Sequence, residues 1–318
     1  MAVKVAVIGL GIMGKRMLEQ MQIHADFVPV SLWDPSKEAC RASQVLVPTA
    51  KVASSAEAAM SAADLVYLAC PPVPRMAYAM MAADMGKAIF LEKPLGVDVA
   101  ASRALVRHLE VAGVPAAVNF TQAAGVALKG VVDSAARGEL GEVLGVDIIV
   151  TYAQWPRGWQ MSADWLRYRA EGGMTREVLS HFLFFCERVL GPLRVTWAHA
   201  RYPADTSLCE THVLAQLESD VGQVVSVMAS VGGVQPDRQE LTIKGSLVSR
   251  RISEFHIDAQ SDGGPFVELG TRPDDPRAVS LRAQLDELLL CLDRKPNRLA
   301  TPAEALRVQC LVEEMLET

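Results

Sequence analysis

No stretch of about 18 consecutive apolar residues occurs in this 318-residue chain, so nothing in it reads as a membrane span. No C-x-x-C pair is present either. The six cysteines (Cys40, Cys70, Cys186, Cys209, Cys291, Cys310) are scattered and read as reduced, mostly buried thiols rather than a disulfide framework or a metal knuckle. Positive charge is short as well: 31 Lys and Arg stand against 37 Asp and Glu, and the net charge is −6. A chain of that balance has no global field to draw phosphate backbones, which argues against a nucleic-acid partner. Low-complexity segments and internal repeats are missing. The apolar opening, Met1 to Gly14, imitates a signal peptide, yet Lys4 interrupts it and no A-x-A-like cleavage site closes it. Cytoplasm is the expected compartment.

What is present is core-forming material. Half of the residues are hydrophobic and 21% are charged, enough to exclude a disordered chain, and the length fits two domains. Val3–Ile8 is a β-branched run suited to a strand buried on both faces. A helix over Met13–His24 follows, then a strand over Phe27–Trp33 that Pro29 should make irregular, and a helix near Ser36–Ser43. Leu65–Ala69, Ala88–Leu91 and Pro115–Asn119 are further strands. Helices over Pro74–Met85 and Asp98–Ala112 separate them, the second capped by Asp98. Strands alternating with helices make βαβ units and one doubly wound parallel sheet.

Beyond a helix at Ala123–Arg137 the texture changes. Val143–Ala153, Leu193–Tyr202, Glu210–Glu218, Gln223–Val231, Gln239–Lys244 and Val248–Glu254 are strand-like, with Gly or Asp turns between several of them. Strands without intervening helices imply a mostly antiparallel sheet, interrupted by a helix at Thr175–Leu190 and followed by helices at Val279–Asp293 and Pro302–Leu316. The expected division is an α/β Rossmann domain over residues 1–120 and an α+β domain over 121–318. The two last helices are candidates to pack back on the first domain.

Gly9-Leu10-Gly11-Ile12-Met13-Gly14 is G-x-G-x-x-G, placed after a strand and before a helix. There Gly9 permits the tight turn, Gly11 clears the way for a pyrophosphate, and Gly14 lets helix and strand approach. Asp34, about 20 residues on, can accept both ribose hydroxyls of NAD and would repel a 2′-phosphate. Its alternative role is the N-cap of a helix starting at Pro35. NAD is therefore favoured; NADP is the alternative, with Ser36 and Lys37 able to hold a phosphate.

Two further segments carry a family resemblance. Glu92-Lys93-Pro94 resembles the E-K-P signature of the glucose–fructose oxidoreductase / inositol dehydrogenase / MocA family. Gly172-Gly173-Met174-Thr175-Arg176-Glu177-Val178-Leu179-Ser180-His181 is similar to that family's G-G-x-x-x-D-x-G-x-H segment. The resemblance spans nearly the whole chain. It implies a Rossmann domain plus a domain whose sheet has one open face used for dimer or tetramer contacts. It also implies an NAD(P)-dependent dehydrogenase or reductase of a small polyol, sugar or related hydroxy/oxo compound. Lys93 and His181 match the family's active-site lysine and catalytic histidine, Glu177 stands where aspartate is usual, and Cys70-Pro71-Pro72 resembles the turn against the nicotinamide. Glu92, Asn119, Ile12 and Met13 complete the expected cofactor contacts.

Elementary chemistry agrees with those roles. A neutral histidine can take the proton of a hydroxyl as hydride leaves its carbon, and an ammonium can stabilise charge on the same oxygen. Glu177 and His181 are four apart, one face of an α-helix, and Glu177 could orient its partners. An E-x-x-x-H pair could also hold a metal, but no third ligand is apparent, so none is expected. Two departures from the family pattern, Glu177 and Leu179, leave the chemistry open: an imine reductase is the alternative enzyme, a non-catalytic NAD(P)-sensing regulator the alternative class. Gln154–Arg169 gathers three tryptophans and three arginines. It suits either a substrate cleft with aromatic faces and anion-binding arginines or a packed contact. Arg176 could serve as a salt-bridge partner.

Overall fold

The computed structural model describes residues 2–317. They form two compact units. The first comprises residues up to Thr121 with Arg277–Leu306, the second Gln122–Pro276 with the residues from Arg307 onward.

In the first unit six strands form one parallel sheet: β1 (Val3–Ile8), β2 (Phe27–Trp33), β3 (Lys51–Val52), β4 (Leu65–Leu68), β5 (Ala88–Glu92) and β6 (Ala116–Asn119), in the order β3-β2-β1-β4-β5-β6. The order reverses between β1 and β4, and in such sheets ligands bind beyond the strand C-termini at that point. Residues Val5–Ile8 and all of β4 and β5 are buried, the reason their sequences are apolar without alternation. The β1–β2 register slips beside Pro29, which has no amide hydrogen to give the ladder. Helices α1 (Ile12–Ile23), α2 (Lys37–Leu46), α3 (Ala56–Ser61), α4 (Pro72–Asp84) and α5 (Val99–Ala112) make the crossovers. Asp98 caps α5 by accepting from Ala101 N at 2.9 Å, and Gly113, at φ +62°, ends it.

The second unit holds α6 (Val126–Ala136), β7 (Val143–Tyr152), α7 (Ser180–Leu190), β8 (Leu193–Arg201), β9 (His212–Ser219), β10 (Val224–Val231), β11 (Arg238–Gly245), β12 (Ser249–Ser253), β13 (Ile257–Ser261) and β14 (Val267–Glu268). The sheet order is β14-β13-β12-β11-β7-β10-β9-β8. β7 and β10 pair in parallel; the other neighbours are antiparallel. Alternation sorts the two faces: Val213, Ala215 and Leu217 are buried, while His212, Leu214 and Gln216 between them are exposed. Met228 stands opposite Leu214 on that exposed face.

Two expectations need correction. The helix expected over Thr175–Leu190 begins as a π-helical turn, Thr175–Leu179, and only then becomes α7. The cause is the buried carboxylate of Glu210, which takes hydrogen bonds from Thr175 N and Oγ1, both at 2.7 Å, and anchors the first turn off the α-helical path. The strand series also continues past Glu254 into β13 and β14. Glu254 and Phe255, at φ 52° and 67°, form the tight turn between β12 and β13 without a glycine to announce it.

The chain closes with α8 (Pro276–Leu292) and α9 (Pro302–Leu316). Leu281, Leu285 and Leu288, on one face of α8, join Val5, Tyr67 and Phe90 in the core of the first unit. Arg277–Leu306 thus return to the Rossmann unit, which is not a continuous stretch of sequence.

Candidate functional site

In the first unit the glycine loop divides its labour by sterics. A Cβ built on Gly9 would lie 2.4 Å from Cys70 N, and one on Gly14 2.1 Å from Gly9 O, so both positions exclude any side chain. A Cβ on Gly11 would meet nothing within 4 Å. Gly11 is the N-cap of α1, no side chain caps the helix there, and its first turn, which holds Ile12 and Met13, carries no acid. An uncapped helix end facing open space, with the positive end of its dipole outward, is what a pyrophosphate requires.

Asp34 sits at the mouth of this loop. Its Oδ2 accepts from Leu10 N at 2.7 Å and its Oδ1 from Ser36 N at 2.8 Å. Each oxygen keeps a lone pair for a hydroxyl donor. The cap of α2 is Ser36, accepting from Ala39 N at 3.2 Å, so Asp34 is not spent as a helix cap. The residues present fit a dinucleotide.

Behind the crevice lies a buried polar network. Arg75 of α4, fully buried, donates to Cys70 O at 2.6 and 3.1 Å, to Glu92 O at 2.5 Å and to Pro94 O. It thereby ties the Cys70-Pro71-Pro72 turn after β4 to the Glu92-Lys93-Pro94 turn after β5, whose Lys93–Pro94 bond is cis. The Glu92 carboxylate accepts from Tyr67 Oη and from Asn119 Nδ2, the latter at 2.7 Å. Burial raises the pKa of Glu92 against the opposing pull of those donors and of Arg75 and Lys93. The Asn119 amide oxygen is buried and has no partner among the described residues. Lys93 itself is 9% exposed.

The second unit carries Glu177 and His181. Because Thr175–Leu179 is π-helical, the four-residue spacing does not set them on one face in the α-helical sense. From Gly172 to Ser180, Glu177 alone keeps partial exposure. His181, in the first turn of α7, packs edge-on against Phe255, with ring centroids 5.4 Å apart, and Phe255 stacks on Phe182 at 5.2 Å. A turn with two left-handed non-glycine residues thus ends in a ring that holds the imidazole; such local strain concentrates at functional sites. Gly173 passes Glu210 so closely that a Cβ would lie 2.4 Å from Oε2. Leu179 is fully buried, so its bulk fills the core. Arg176 pairs with Glu313 of α9 through Nε and Nη2 at 2.7 and 2.6 Å, the salt-bridge role open to it in sequence, though not with Glu177.

Several participants carry no local signal. Gln160 is buried and donates to Glu177 Oε1 at 3.2 Å while accepting from Arg157 Nε at 2.8 Å. Phe255, Arg75, Tyr67 and Glu210 are likewise invisible in sequence, since each acts through a partner distant along the chain. Among the described residues no group of three or more His, Cys, Asp or Glu is arranged to hold a metal ion, and no helix is long and apolar enough to cross a membrane.

Comparison with known proteins agrees with this geometry. No curated protein sequence matches the chain. Among solved structures, an oxidoreductase from Agrobacterium radiobacter in complex with NAD+, L-tartaric acid and magnesium superposes with a TM-score of 0.86 at 16% identity, covering 100% of this chain and 97% of that one. The WlbA dehydrogenase from Bordetella pertussis, in complex with NADH and UDP-GlcNAcA, gives 0.84 at 18% identity, covering 99% and 96%. Scyllo-inositol dehydrogenase from Lactobacillus casei, with bound NAD(H) and scyllo-inositol, gives 0.82 at 14%, covering 100% and 97%. At these identities the likeness establishes the fold over the whole chain. Residues 3–120 match the family model described as oxidoreductase family, NAD-binding Rossmann fold. Over that N-terminal part the chain is similar to the glucose–fructose oxidoreductase / inositol dehydrogenase / MocA family, whose model describes an NAD-binding Rossmann fold.

Proposed function

We propose that the protein is a dehydrogenase or reductase of a small polyol, sugar or related hydroxy/oxo compound, with Lys93 and His181 handling the proton. The observation that carries this reading is the pairing, in one unit, of an uncapped α1 terminus at Gly11 with a buried lysine at the end of β5. The relatives of the same fold crystallised with inositol, tartaric acid and a nucleotide sugar support that substrate class.

Gly11, Ile12 and Met13 would hold the pyrophosphate, Asp34 the ribose, and Cys70, Pro71, Pro72 and Asn119 the nicotinamide end. A nicotinamide held there would supply the hydride acceptor for oxidation and the hydride donor for reduction. Lys93, barely exposed and braced by the backbone that Arg75 grips, presents an ammonium that stabilises negative charge on the substrate oxygen. His181, held by Phe255, takes the proton of the substrate hydroxyl in oxidation and gives it back in reduction. Glu177, braced by Gln160, orients the substrate and favours the charged imidazole that forms.

The test is Lys93→Met assayed by nicotinamide absorbance on whichever polyols and sugars the parent turns over. Turnover is expected to fall about 10²- to 10⁴-fold while NADH binding is retained. Unchanged turnover would remove Lys93 from the chemistry.

A further inference from the structure

We propose that Arg157 is a carboxylate-binding residue of the substrate site, so that the molecule oxidised or reduced carries a carboxylate; this rests on the oxidoreductase reading above. Four arginines lie close together in sequence here, and the structure separates them. Arg176 is consumed by Glu313 and by the carbonyls of Arg169 and Gly172. Arg167 pairs with Asp164 at 3.0 Å. Arg169 stands over the ring of Tyr202, 3.9 Å from its centroid. Arg157 differs from all three.

Its guanidinium carbon stands 4.9 Å from the ring centroid of Tyr152, 5.8 Å from that of Trp155 and 4.8 Å from that of Trp159. Its Nε donates to the buried amide of Gln160 at 2.8 Å, and no described acid forms an ion pair with it. Neither Nη1 nor Nη2 donates to any described residue. The side chain is therefore held by three rings and an amide, while the four N–H groups of Nη1 and Nη2 make no hydrogen bond among the described residues. A cation held among aromatic faces has lost part of its water, and an incoming planar oxyanion replaces it with two parallel charge-assisted bonds.

Gln160 links this fork to the reacting end, since its other amide atom reaches Glu177. The two ends of Gln160 thus set a carboxylate subsite beside the proposed catalytic carboxylate. The same neighbour discriminates between anions. Glu177 repels a phosphate dianion about twice as strongly as a monoanion at equal distance, and the flat fork matches a carboxylate bidentately. Trp159, partly exposed beside the guanidinium, offers its face to the carbon skeleton of the same ligand.

Calorimetric titration with D-glucuronate and D-galacturonate, against D-glucose and D-galactose as neutral counterparts and glucose 6-phosphate as the phosphate arm, tests this directly. The uronates are expected to bind about tenfold or more tightly than their neutral counterparts. Arg157→Met should erase that preference, and Arg157→Lys, which keeps charge but not the fork, should restore only part of it. Equal binding within each pair, no measurable uronate binding, tighter binding of the phosphate than of the uronates, or an undiminished preference in Arg157→Met would overturn the assignment. The comparison within the parent protein stands even if a variant fails to fold. Nicotinamide absorbance followed with the same compounds separates the two ideas: a uronate preference in binding without any hydride transfer would sink the dehydrogenase reading and leave the subsite standing.

Discussion

Gly9, Gly11 and Gly14 belong to one motif but answer to different forces. Gly9 and Gly14 are glycine because backbone atoms of the chain itself occupy the place of a Cβ; Gly11 is glycine although nothing of the chain does. Its φ of −74° suits any residue, so folding alone does not demand glycine there. Gly11→Ala is therefore expected to leave the melting temperature within about 2 °C of the parent and to weaken NADH binding about tenfold or more. Gly14→Ala should do the reverse first, lowering stability by about 1–3 kcal/mol through overpacking against Gly9 O. Thermal unfolding and NADH fluorescence titration on the two variants read both effects; a Gly11→Ala protein that melts early and binds normally would show the loop to be structural. Residues of this kind were legible in the sequence because their physics is local. Asp34 was half legible: its distance from the loop pointed to the ribose or to a helix cap, and only the fold shows that Ser36 caps α2 while Asp34 accepts from Leu10 N and Ser36 N. Arg75, Gln160 and Phe255 were not legible, since each depends on partners brought near by the fold.

Elements were readable where hydrophobic pattern and turn residues agreed. β1, β2 and α9 have the expected limits, because a buried run or a Pro start defines each end. β3 and α3 went unseen: two exposed residues and a helix of only six are too short to leave a period. The π-turn before α7 was equally hidden, because Glu210, which imposes it, lies 35 residues away from Thr175. The second sheet leaves Trp197, Leu214 and Met228 at 54%, 46% and 43% exposure, with Leu214 and Met228 directly opposite each other. Three large apolar side chains on the exposed face of one sheet are unusual for a surface that meets only water. We propose that this face joins copies of the chain into a dimer or tetramer. Light scattering on the parent should give a multiple of the 34.4 kDa chain, and Leu214→Glu with Met228→Glu should give monomer. A monomeric parent would contradict it.

At the scale of the chain, sequence order and spatial order part company after Pro276. The texture shift near residue 121 marks where βαβ alternation gives way to antiparallel strands. The return of Arg277–Leu306 to the first unit follows instead from the apolar face of α8, which a linear division cannot assign to one sheet or the other. The Rossmann unit is thus completed by a late segment, and the cofactor crevice proposed for it draws on residues between Gly9 and Asn119. Titration of the purified protein with NADH and with NADPH, followed by nucleotide fluorescence, tests that crevice most directly. Asp34, its carboxylate fixed by Leu10 N and Ser36 N at the mouth of the glycine loop, predicts NADH binding about tenfold or more tightly than NADPH. In Asp34→Ala the preference should vanish. Tighter binding of NADPH by the parent, or no binding of either nucleotide, would contradict the account.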